Sequence, residues 1–184
     1  MTDRAPDLIG PLLGWRAWCV RETEKGWRLF SIHYGEAWPA GRQLEAACYR
    51  SRYASNANEN THARHCAPAK DCLCGVYAGK VLAQARQYFN ASHAVCELVP
   101  PSLDYIHRAI GQVSLWGRVV ECSQGYRASI AYPARLWVPT RRPDGHPLDV
   151  EAVALDLIDY GVPVDLIDAG GRVEIMREIA QQTD

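Results

Sequence analysis

The chain has 184 residues, 48 % of them apolar and 22 % charged, with a formal net charge of −1. A chain of this length and composition buries a core unaided and forms one domain, or one domain with a small appendage. No run approaches the roughly 20 apolar residues of a membrane span, and near-neutral charge gives no simple signal for a polyanion or a membrane surface.

Taken in order, the chain opens on Met1 to Trp15, where a short apolar patch is flanked by Asp3 and Asp7. This is no signal-peptide pattern, so a cytoplasmic location with reduced thiols is expected. Seven cysteines, an odd number, also fit a disulfide framework poorly. Trp15 to Val20 and Trp27 to Ile32 alternate around the turn Glu22 to Gly26, which predicts a β-hairpin. Residues 37–41 read as a turn, and 43–50 as a short helix or an extended piece that delivers Cys48. Residues 51–70 are polar and aperiodic, a loop long enough to need a tie. A helix is expected over 79–90 and a short strand over 95–98.

The strongest strand pattern is Gly111 to Glu121, returned by Tyr126 to Tyr132. Gly117 inside it predicts a bend or bulge and hence a coiled, barrel-like sheet. Pro133 is expected to end the return strand or hold it on an edge. A helix capped by Asp149 follows, with Val150, Val153, Ala154, Leu157 and Ile158 on one face and Gly161 as its stop. Residues 162–167 read as a strand, and 172–176 as a strand or the start of a last helix. The fold class is therefore α+β. A β-rich, barrel-like body with a zinc-tied loop and one helix precedes a small C-terminal α/β appendage.

The charge is divided unevenly. Residues 1–143 carry 18 basic and 11 acidic side chains, whereas 144–184 carry 2 and 10. This split sets a basic β-rich zinc-binding body, 1–143, against an acidic helix-strand appendage, 144–184. The acidic segment either packs on the basic body or competes with a polyanion for it.

The chemistry concentrates in C-x16-H-x6-C-x-C-G, formed by Cys48, His65, Cys72, Cys74 and Gly75, with Cys66 as an alternative fourth ligand. Thiolates and imidazoles are zinc ligands, and cysteines at i and i+2 of an extended backbone share a face. A metal there would close the long loop and offset its entropic cost. Inert buried cysteines or a redox pair at Cys72 and Cys74 would carry the same residues. The local acids are only Glu45, Glu59 and Asp71, which favours a closed structural site over a catalytic one with an open position. Cys19, Cys96 and Cys122 lie in strand-like runs and are expected in the core.

Motifs for nucleotide binding, serine hydrolysis and helical zinc proteases are absent. Trp116, Tyr126, Arg127, Tyr132, Arg135 and Trp137 mix arginine with aromatics at strand spacing. They form either a base-stacking surface or cross-strand packing. Arg50, Arg52, Arg64 and Lys70 add positive charge near the metal loop.

Several runs carry a resemblance. They are Gly14-Trp15-Arg16-x-Trp18, Trp38-Pro39, His65-x-x-Pro68, Cys72-x-Cys74-Gly75-Val76-Tyr77-Ala78, Val113-x-Leu115-Trp116-Gly117-x-Val119-x-Glu121 and Gly125-Tyr126-Arg127-Ala128. Over residues 14–138 the chain resembles a family of small, functionally uncharacterised zinc-site proteins from high-GC bacteria and their phages. The resemblance favours His65 over Cys66 as fourth ligand and implies no activity. The expected function is a non-enzymatic, zinc-stabilised binding or regulatory module with a protein or nucleic-acid partner. A metal- or cysteine-dependent enzyme and a redox sensor are the alternatives.

Overall fold

A computed structural model describes residues 11–32, 36–48, 65–89, 107–142 and 144–183. The hairpin forms as its alternation predicts. β1 (Leu12–Thr23) and β2 (Gly26–Ser31) pair antiparallel from Trp18↔Ser31 to Thr23↔Gly26. The short strands β3 (Leu44–Glu45) and β4 (Val76–Gly79) follow, then helix α1 (Leu82–Phe89). The long strands β5 (His107–Glu121) and β6 (Gly125–Pro139) form the second hairpin. Helix α2 (Glu151–Leu157) runs into a 3-10 turn (Ile158–Tyr160), then β7 (Val164–Ile167) and helix α3 (Arg172–Thr183).

All seven strands belong to one sheet. β1 pairs with β5, β5 with β6, β6 with β4, and β4 returns to β1 at Trp15↔Gly79. This closes a ring of hydrogen-bonded strands that is not a true barrel. Along the edge of β6 away from β5, three strands lie end to end. β4 pairs with 125–128, β3 with 130–131 and β7, in parallel, with 136–139.

Gly117 does mark a bulge. The β5–β6 register shifts between Trp116 and Val119, and Gly117 has φ +72°. A Cβ there would come within 2.4 Å of Ser129 Oγ, which instead accepts the Arg118 amide at 2.9 Å. Pro133 does not end β6. It sits beside a second register shift, at Gln112/Val113, on a stretch of edge between the β3 and β7 pairings. A residue with no N–H is tolerated there.

Two apolar clusters flank the sheet. On one side Trp18, Val20, Leu29, Trp38, Leu136 and Val138 pack with Val153, Leu157 and Tyr160. On the other, Ala17, Cys19, Ile110 and Trp137 pack with Ile167, Ile175 and Ile179. Successive strand residues point to opposite faces, so Ala17 to Val20 are buried on both sides. α2 supplies Val153 and Leu157 to the first face and α3 supplies Ile175 and Ile179 to the second. Residues 144–184 thus extend the same sheet and contribute to both clusters.

Other expectations shift. Residues 43–48 are extended rather than helical, and β4 occupies the approach to the helix, which starts at Leu82. Asp149 does not cap α2; Val150 holds the cap position without a side-chain bond. Ile158 is exposed, whereas Tyr160, three residues after Leu157, is buried with Val153 and Leu157. Of the two readings of residues 172–176, the start of a last helix is the one that forms. Among the described residues three helices are present, the body's one and two in the C-terminal segment, so the α+β, sheet-rich class holds. No described helix is long and apolar enough to cross a membrane. The proposed strand at 95–98 and Cys96 lie outside the described residues.

Tyr160 joins the segments most tightly. Its hydroxyl donates to the Trp38 carbonyl at 2.7 Å and accepts the Leu29 amide at 3.0 Å. Burial pushes its pKa up to about 12. Tyr160→Phe strands both backbone groups in the core. It is expected to lower stability by about 2 kcal/mol, read as a shift of the urea midpoint at unchanged m-value.

Candidate metal centre

The ligands come from two chain segments anchored on neighbouring stretches of β6. Leu44↔Ala131 and the Ala46 amide on the Ser129 carbonyl (2.8 Å) fix the strand that delivers Cys48. Val76↔Ala128 fixes β4, directly after Cys72, Cys74 and Gly75. The short gap between β3 and β4 is where the two segments meet.

One donor atom from each of Cys48, His65, Cys72 and Cys74 falls into a group whose members all lie within 4.8 Å of one another. Cys48 Sγ is 3.7 Å from Cys72 Sγ, and His65 Nε2 is 3.3 Å from Cys74 Sγ. Thiolates about 2.3 Å from one tetrahedral ion stand about 3.8 Å apart, so the cluster fits a single metal. Cys48 is buried and the other three are half-buried. Cys66 is exposed and outside the group.

Arg127 holds the loop in shape. Only 6 % exposed, it donates through Nη1 to the carbonyls of Ala69 (3.2 Å), Cys74 (3.2 Å) and Cys72. Burial opposes its charge, but Cys122, Tyr77 and Cys74 outweigh that and raise its pKa. Gly75 has φ +123°, and a Cβ there would press on Arg127 Cβ and Pro68 Cβ at 3.1 Å. The thiols are unequal. Burial opposes ionisation of Cys72, yet hydrogen bonds from the Cys74 backbone and from Cys48, Cys74 and His65 bring its pKa down to about 7. Burial raises that of Cys74, and the adjacent Cys72 adds to the rise. A cation is therefore the natural means of holding all three as thiolates.

Of the two readings of the arginine–aromatic group, the contacts of the described residues fit cross-strand packing. Arg127 serves the loop, and Trp137 is fully buried, stacked on Trp15 at 5.6 Å and donating to Gln182 Oε1 at 2.8 Å. Arg135 lies over Trp137 and pairs with Asp165 at 2.8 Å. Tyr132 accepts the Gly41 amide and donates to the Tyr160 carbonyl. Tyr126 is half-buried beneath Lys80, and Trp116 is half-buried beside the Gly117 bulge. Strand alternation sets Tyr126 and Tyr132 against the first cluster and Trp137 in the second, so the group does not share one face. Lys70 is exposed; Arg50, Arg52 and Arg64 lie outside the described residues. Cys19 is buried as expected, but Cys122 is half-buried at the β5–β6 turn, not in the core.

Compared with protein-family models, with curated proteins and with solved structures, the chain matches none.

The loop clamp carries an expectation of its own. Arg127→Met should weaken binding of a divalent metal by about tenfold or more, measured by competition with a chromophoric chelator. Arg127→Lys, which keeps the charge but not the fork, should recover only part of the loss.

Proposed function

We propose that the protein is a non-enzymatic binding or regulatory module in which Cys48, His65, Cys72 and Cys74 hold one structural zinc ion. The observation that carries this reading is the closed tetrad, four protein donors within 4.8 Å of one another. Three thiolates and an imidazole form a soft, tetrahedral set suited to zinc, and they fill its coordination without an open position for a reacting water. Zinc has no redox chemistry of its own, so the ion serves to order the loop.

The ordered loop is a binding element, and its exposed side chains favour a protein partner. Leu73, set between two ligands, is 74 % exposed. An apolar side chain held outward on a fixed loop suits a protein contact better than a phosphate backbone. The arginines Arg28, Arg135 and Arg141, by contrast, face Asp159, Asp165 and Asp168 of the acidic segment.

Elemental analysis should give one zinc per chain, with three sulfur and one nitrogen scatterer by X-ray absorption. Cys72→Ser and Cys74→Ser should each lose the ion at neutral pH. Protons compete with zinc for the thiolates and the imidazole, so affinity falls as pH falls, with release complete by about pH 5. A bound water in place of one protein ligand would refute the structural reading and favour an enzyme.

A further inference from the structure

The ring of strands has one weak seam. β1 meets β4 at Trp15↔Gly79, and by Trp18 the same strand pairs with β2. Between these pairings the strands part around a cavity of about 630 Å³. Trp15, Arg16 and Ala17 line one side, and Val76, Tyr77 and Ala78 the other. Cys48, Cys72 and Cys74 belong to the same lining, so the metal clip is one wall of the cavity. Its volume lies within the roughly 300–1,000 Å³ of small-molecule sites.

Two lining residues are charged, Arg16 and Glu36. Arg16 is held in a fixed pose. Its Nη2 donates to Ser31 Oγ at 3.2 Å, its Nη1 donates to the Tyr77 carbonyl, and its guanidinium lies 5.1 Å from the centre of the Trp38 ring. Ser31 is fixed in turn by Trp38 Nε1 at 3.0 Å. A planar guanidinium set in a largely apolar wall is preorganised for a carboxylate.

We propose that this cavity binds a small organic carboxylate with an apolar body. The carboxylate lies against Arg16 and the body against Val76 and Ala78, on the same face of the sheet. Because three of the tetrad's residues line the wall, any effect of the ligand on metal affinity is matched by an equal effect of the metal on ligand affinity. That coupling rests on the zinc reading; the carboxylate site does not.

The test titrates the full, zinc-loaded, ¹⁵N-labelled chain with phenylacetate, its neutral counterpart phenylacetamide, and the cation phenethylamine. Saturating shifts are expected at the amides of Arg16, Ala17, Val76 and Ala78. Phenylacetate should bind about fivefold or more tightly than phenylacetamide. Arg16→Gln should abolish that preference with zinc content unchanged. The proposal is overturned if no lining amide moves at millimolar phenylacetate, or if either other probe binds as tightly. Zinc measured on the same sample separates the two readings. Zinc without probe binding removes the cavity alone, and probe binding without zinc supports the cavity while removing the clip.

Discussion

The buried guanidinium of Arg127 is the contact on which the metal loop depends. A charge removed from water needs hydrogen-bond acceptors, and here the carbonyls of Ala69, Cys72 and Cys74 share the two Nη1 hydrogens. Those bonds fix the peptide planes at two of the four ligands, and so the directions of their sulfurs. They also place a positive charge beside a set of thiolates that a divalent ion alone leaves net negative. One side chain thus does in geometry and in electrostatics what an outer-shell partner does in many metal sites. Its position follows from pairing: Arg127 lies opposite Tyr77 in the β4–β6 register, beneath the turn that the ligands occupy.

β6 is the axis that makes this possible. β4, β3 and β7 occupy successive stretches of one edge, so the two halves of the clip and the acidic segment are all referred to a single strand. The acidic segment lies against the basic body through Arg28–Asp159, Arg135–Asp165 and Arg141–Asp168. Exposed pairs of this kind contribute little each. The attachment is carried by burial of Val153, Leu157, Tyr160, Ile175 and Ile179, none more than 2 % exposed. The charges select the register; the apolar contacts hold it.

What the sequence discloses here is what local spacing encodes. The two hairpins and the Gly117 bulge follow from alternation and from a residue without a Cβ. The tetrad follows from ligand type and from a loop too long to stand untied. β3, two residues long, and β4, four residues long, carry no periodicity of their own and exist through pairing with β6. The register shift beside Pro133 has no signature in strand alternation. The clamp at Arg127 is legible only once residues 53 to 58 positions apart are brought together, and the same holds for Arg16 and the Tyr77 carbonyl.

The placement of the clip also limits what the metal does. β3 and β4 are each paired to β6 by backbone bonds that do not involve the ligands. The largest fully buried side chains, such as Trp18, Trp38, Trp137 and Leu136, lie outside the 65–75 segment. A metal held by the tetrad would therefore order a loop and one wall of a cavity on a sheet that is held by other means. A site of this kind differs from a small zinc domain whose whole core waits on the ion. The energy of coordination would go into the shape of a surface, while Trp18, Leu29 and Tyr160 pack independently of the four donors.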